Sequence, residues 1–153
     1  MKSALLFVAG FALLAGAVHA DSASAGIAAT VNGEAITVAE LDRQTEGWPA
    51  DKLRERKQQA LQVLIDRTLI IQAFYREGIQ VPKDYIDGQM NEIVKDEYGG
   101  DHAAFERTLA ERGITLEKYR QEIANNCIVG YERTHHPRTW QAYLRQTADI
   151  KIY

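Results

Sequence analysis

The segment Ile27-Ala28-Ala29-Thr30-Val31-Asn32-Gly33-Glu34-Ala35-Ile36-Thr37 decides how this chain is closed. Asn-Gly readily takes the positive φ angles of a type I′ turn, so two short strands are predicted around it, 27–31 and 34–37. A two-stranded hairpin is not stable alone in water and needs a neighbour. The other end of the chain offers one. Ala148-Asp149-Ile150-Lys151-Ile152-Tyr153 alternates apolar and polar residues after a long helical stretch, the pattern of a half-buried strand. The expectation is a mainly α fold: a multi-helix domain clasped by a small antiparallel sheet made from the N-terminal hairpin and the C-terminal strand.

Punctuation places the helices between these ends. Thr37-Val38-Ala39-Glu40 reads as a capping box opening a short helix to about Gln44. The longest helix is predicted from about Asp51 to Glu77, stopped by Gly78. Between Ala60 and Tyr75 it is apolar on nearly every side, so other helices should surround it. Pro82 suits the first position of a third helix carrying Ile86, Met90, Ile93 and Val94 as far as Gly99-Gly100. Asp101 caps a fourth helix, with Phe105 and Leu109 on one face. Thr115 caps a fifth, where Leu116, Tyr119, Ile123, Cys127 and Tyr131 keep helical spacing. Pro137 interrupts, and a last helix carries Trp140, Tyr143 and Leu144 into the terminal strand.

The first twenty residues read as an export signal: Lys2, an uncharged apolar run from Ala4 to Ala17, then Val18-His19-Ala20 before a cleavage point at Asp21. That run is shorter than the ~20 residues of a membrane span, so no stable span is expected after cleavage. The domain expectation is a signal peptide at 1–20 and one domain at 21–153, placed in the periplasm or otherwise exported. The formal charge of −3 offers nothing to phosphate backbones, and nucleic acid is not expected as a partner. Cys127 is the only cysteine, so no intramolecular disulfide can form; a small core residue is the expected role.

Searches for reactive constellations return bland readings, and no catalytic residue, cofactor or metal is expected. Beyond position 20 the only serines are Ser22 and Ser24, in a small-residue stretch ahead of the first strand. The histidines His19, His102, His135 and His136 include no pair at i, i+4 spacing. Gly99-Gly100 lies among Asp96, Glu97 and Asp101, which would repel a phosphate. Asp84 and Asp87 suit the dipole of a first helical turn. Asp66-Arg67, inside the apolar stretch, is expected to be a buried or half-buried ion pair fixing register.

Val31-Asn-Gly-Glu-Ala-Ile-Thr37, Leu61-x-x-Leu-Ile-Asp-Arg67, Gly78-Ile-x-Val-Pro82, Gly113-Ile-Thr-Leu-Glu-Lys-Tyr-Arg120 and the Ala-x-Ile-Lys-Ile ending together resemble the N-terminal domain of the SurA family of periplasmic chaperones. In that family the hairpin is completed by a strand from the far C-terminus. Members commonly carry parvulin-type prolyl isomerase domains between the helical domain and its closing helix. Here only a few residues separate Tyr131-Glu-Arg133 from Trp140, too few for such a domain, so no enzyme is expected. The resemblance implies an ATP-independent holdase for unfolded envelope or outer-membrane proteins. Its peptide-binding candidates are Met90, Ile93, Val94 and Tyr98, on the short third helix with few neighbours in sequence; the same stripe would equally serve as core. The alternatives are a prolyl isomerase-related protein and an assembly module, with a homodimer formed by exchange of the last strand or helix.

Overall fold

Asn32 and Gly33 take φ of 51° and 87°, both positive, as the predicted two-residue turn demands. They join β1 (Ile27–Val31) to β2 (Glu34–Thr37) in a computed structural model that describes residues 26–153. The expected signal segment, 1–20, lies outside the described residues, as do Ser22 and Ser24. Along the chain follow α1 (Val38–Gln44), α2 (Leu53–Arg76), α3 (Lys83–Tyr98), α4 (His102–Glu111), α5 (Leu116–His135), α6 (Arg138–Thr147) and β3 (Ile150–Ile152).

The chain ends meet as anticipated. The sheet order is β2-β1-β3, with β1 antiparallel to both neighbours. Register pairs Ala29 with Ile152, Thr30 with Lys151 and Val31 with Ile150. Flanking bonds extend the ladder: Asn32 N–H donates to the Asp149 carbonyl at 2.8 Å and Tyr153 N–H to that of Ala28 at 3.0 Å. Asn32 adds a side-chain lock, its Oδ1 accepting from Asp149 N–H at 2.9 Å.

Helix starts follow the capping residues. Thr37, Asp101 and Thr115 each accept a hydrogen bond three residues ahead, from the N–H of Glu40, Ala104 and Lys118. Pro82 differs slightly from expectation, standing one residue before α3 as its N-cap. Gly99 ends α3 at φ 61°, a left-handed cap that costs glycine nothing.

The apolar residues separate into two cores. The larger gathers Val31 and Ile36 from the sheet, Leu41 from α1, Ile65, Leu69 and Ile70 from α2, Ile128 and Val129 from α5, and Leu144 from α6. Ile36, Ile65, Ile70 and Ile128 are among the most deeply buried side chains, each contributing about 1.5–3 kcal/mol by leaving water. The smaller core consists of Met90, Val94, Phe105, Leu109 and Ile123, from α3, α4 and α5. Burial of α2 is less complete than its composition suggests, since Val63 and Tyr75 remain 55% and 39% exposed. Cys127 is half-buried rather than buried, packed beside the smaller core, and burial pushes its thiol pKa up.

Asp66 and Arg67 do not pair with each other, contrary to expectation. Adjacent residues on a helix diverge by about 100°, so each reaches a different neighbour. Asp66 meets Arg145 of α6 at 2.5 Å, and Arg67 meets Glu122 of α5 at 3.1 Å. Two ion pairs therefore fasten α2 to two helices. Asp87 likewise does more than complement a dipole: it pairs with Arg120 of α5.

Candidate functional site

The last turns of α2 place Ile71, Gln72, Tyr75 and Arg76 along one wall of an open cleft of about 610 Å³. Spacings of three and four residues, 72 to 75, 71 to 75 and 72 to 76, bring them to one side of the helix. Gln121 and Asn125 of α5, at i and i+4, make the opposite wall, and Asn32 and Glu34 of the hairpin close the end. The cleft is bounded by three elements: the β1–β2 turn, α2 and α5.

Carboxamides dominate its chemistry. Gln72 Nε2 donates to the Val31 carbonyl at 3.0 Å and to Glu34 Oε2 at 2.7 Å. Gln72 Oε1 accepts from Asn32 Nδ2 at 2.8 Å. Asn32 therefore joins the cleft to β3, because its other side-chain atom holds Asp149. Across the gap Gln121 Nε2 donates to Tyr75 Oη at 2.9 Å and to Asn125 Oδ1 at 3.0 Å. Asn125 is only 2% exposed, yet its Nδ2 has no hydrogen-bond partner among the described residues. Glu34 and Arg76 bring one charge of each sign, leaving the cleft close to neutral.

A second group of polar residues lies inside the larger core. Glu40, 3% exposed, sits near Arg67 and Glu122, and burial pushes its carboxyl up to about 7. Arg43, the Thr37 backbone N–H and Arg67 oppose that rise, while Glu122 adds to it. Arg67 is shifted down, chiefly by burial, and its Nε has no hydrogen-bond partner. These carboxylates are only 2–3% exposed, and the cluster fixes the packing of α1, α2 and α5. Among the described residues no group of three or more His, Cys, Asp or Glu side chains is placed to hold a metal ion.

The four residues singled out from sequence lie elsewhere. Met90 and Val94 point into the smaller core, 6% and 0% exposed, while Ile93 and Tyr98 form its half-buried rim. Tyr98 packs edge-on against Phe105 at 5.4 Å, and Phe105 against Tyr119 at 5.1 Å. The structure brings all four together, but not to the cleft. The cleft residues were not singled out, although Gln72 interrupts the apolar run of α2 and Gln121 and Asn125 share a helix face. The missing signal was long-range: nothing local tells that residues 32, 72 and 121 converge.

Comparison with known proteins identifies a family. The profile of the SurA-like N-terminal domain matches residues 2–131. The Chaperone SurA of Pseudoalteromonas translucida is 25% identical over 114 residues, 74% of this chain and 23% of that protein. The chain thus spans about a quarter of that relative's length. A solved structure from a study of two structurally related SurA-like chaperones of Campylobacter jejuni is 24% identical, covering 67% of this chain and 38% of that one, with a TM-score of 0.39. On the match over most of its length, the chain belongs to the SurA-like N-terminal domain family.

Proposed function

We propose that this domain is an ATP-independent periplasmic chaperone, a holdase that binds unfolded envelope proteins, outer-membrane β-barrel precursors among them. The observation that carries the reading is the family match across residues 2–131. The opening of the chain, Lys2 followed by an uncharged apolar run and Val18-His19-Ala20, supports export. Surface chemistry supports client binding: Trp48, Tyr85, Tyr131 and Tyr143 are each more than two-fifths exposed and suit contacts with apolar stretches of a client. The reading is non-enzymatic. Only His136 and Pro137 separate α5 from α6, so that junction houses no isomerase domain.

The decisive experiment dilutes an unfolded β-barrel protein out of denaturant with and without residues 21–153. Suppressed light scattering at near-equimolar ratio is expected; unchanged aggregation would reject the holdase. In a proline-peptide assay the same protein should leave cis/trans exchange at its uncatalysed rate.

One observation favours a second reading, an assembly module that exchanges its C-terminal segment. Helix α6 is joined to α5 by two residues only, and the partners of residues 138–153, namely β1, α2 and the β1–β2 turn, are distant in sequence, so a second copy could supply the same contacts. Concentration-dependent light scattering separates the two readings, because exchange between copies requires a dimer.

A further inference from the structure

We propose that the cleft between the β1–β2 turn, α2 and α5 takes a short stretch of extended polypeptide and reads its main-chain N–H and C=O groups rather than its side chains. The inference rests on the domain's being a binder of unfolded polypeptide, and it places that contact.

The argument starts from hydrogen-bonding groups left over inside the cleft. The Nδ2 of Asn125, on a side chain only 2% exposed, has no hydrogen-bond partner among the described residues and, unlike Arg67 Nε, is open to the cleft, so a ligand acceptor can reach it. Gln121 uses its Nε2 twice and leaves Oε1 without a partner among the described residues, an acceptor for a ligand N–H. Tyr75 Oη accepts from Gln121 and keeps its own proton to donate. Two neutral donors and one neutral acceptor match the alternating polarity of a peptide main chain. Glu34 and Arg76, opposite in sign, give no net attraction for an anion or a cation.

Side-chain selectivity has little to work with. Ile71 and the Tyr75 ring are the apolar surfaces of the cleft, too small a set for a pocket that sorts large residues. The volume of about 610 Å³ falls within the usual range of ligand sites. The far wall is already rigid, since Gln72 is held at both ends and Asn32 is tied to β3 through Asp149. Pre-ordered walls lose little entropy when a chain settles between them.

The test uses residues 21–153 and a fluorescein-labelled unstructured peptide of serine, threonine and valine, followed by fluorescence anisotropy. The same peptide with every second amide N-methylated keeps its side chains and loses half its donors. It should bind about 10-fold more weakly, whereas a scrambled sequence should bind within about 2-fold of the original. Tyr75→Phe and Gln121→Met should each weaken binding about 3- to 10-fold with unchanged near-UV circular dichroism. Equal binding of the N-methylated peptide would overturn the proposal, and that comparison needs no variant to fold. Wild-type affinity in both variants would also overturn it, locating the contact elsewhere while leaving the chaperone reading intact. Suppressed aggregation of a β-barrel protein without any peptide binding would reject main-chain reading alone. Loss of both activities would remove the chaperone reading, and this proposal with it.

Discussion

The two hydrophobic cores are built on opposite principles. The larger draws on residues from Ala28 to Leu144 and is shut by strands from both ends of the chain. The smaller draws only on Met90 to Ile123, so its contacts are local. Helix α5 serves both, giving Ile123 to one and Ile128 and Val129 to the other. Closing the larger core fixes distant segments at a high entropic cost that only many long-range contacts offset. The smaller core closes cheaply but has few buried residues, and it is expected to open first in local unfolding. The lesson is that the chain ends hold the body together, while α3 and α4 are a lighter attachment docked on α5.

The largest effect should come from cutting the clasp. Removing residues 148–153 deletes the β3 ladder, the Asp149 and Tyr153 bonds to Asn32 and Ala28, and the packing of Ile150. With about 1 kcal/mol for each of several hydrogen bonds, the loss should reach about 4 kcal/mol. Hydrogen exchange sharpens the comparison. Amides of Ile27–Val31 should lose protection by orders of magnitude, whereas those of α4 should change far less; equal loss in both regions would mean that the two cores are a single cooperative unit.

Single core substitutions come next. Ile65→Ala leaves a cavity in the larger core and should cost about 4 kcal/mol in urea unfolding. Val94→Ala, at an equally buried site in the smaller core, removes less volume among fewer neighbours and should cost about 2 kcal/mol. Exchange should rise throughout the molecule in the first variant and chiefly in α3 and α4 in the second.

These regions also differ in how legible they were. The hairpin, the capped helix starts and the closing strand could be read from Asn32-Gly33, Thr37, Asp101, Thr115 and the alternation at 148–152, because each is a local signal. The α3 stripe was visible too, but periodicity says only that one face is covered. It cannot say whether by α4 and α5, as the structure has it, or by a bound chain. Asp66-Arg67 misled for the opposite reason: adjacency in sequence suggested a pair, while helix geometry sends the two side chains to α6 and α5. The cleft was invisible because its three sources are brought together only by the tertiary fold.

Acidity should distinguish the cores in a further way. Burial raises the carboxyl pKa of folded Glu40 from its ordinary 4.5 to about 7, so between those values the native protein holds a proton that the unfolded chain has released. Its contribution is therefore whole below pH 4.5 and is lost as pH rises through about 7. At 1.36 kcal/mol per unit, this amounts to about 3 kcal/mol. Glu40→Gln mimics the protonated form and should remove this pH dependence while making the protein more stable at pH 8. A variant as pH-dependent as the wild type would mean that Glu40 is solvated. The smaller core has no buried carboxylate, so protection in α4 should vary little over the same range.

The smallest effects concern charges at the periphery of each region. Arg145 reaches from α6 to Asp66 at 2.5 Å and also donates to the side-chain and backbone oxygens of Gln62 at 2.8 and 3.0 Å, with about a third of its side chain exposed. Three bonds from one guanidinium hold the helix that leads into β3, so Arg145→Ala should cost about 1 kcal/mol even after solvent screening. Lys95 meets Glu92 at 3.9 Å within α3, both side chains being about two-thirds exposed or more. Water screens that pair and nothing else depends on it, so Lys95→Ala should change the unfolding free energy by less than about 0.3 kcal/mol. Added salt discriminates further: wild type should lose part of the Arg145 contribution at high ionic strength, while the Lys95 variant and wild type should stay superimposed. If the two substitutions proved equally mild, α6 would be held by Leu144 and the β3 ladder alone, and the clasp would be a matter of strand pairing without help from charge.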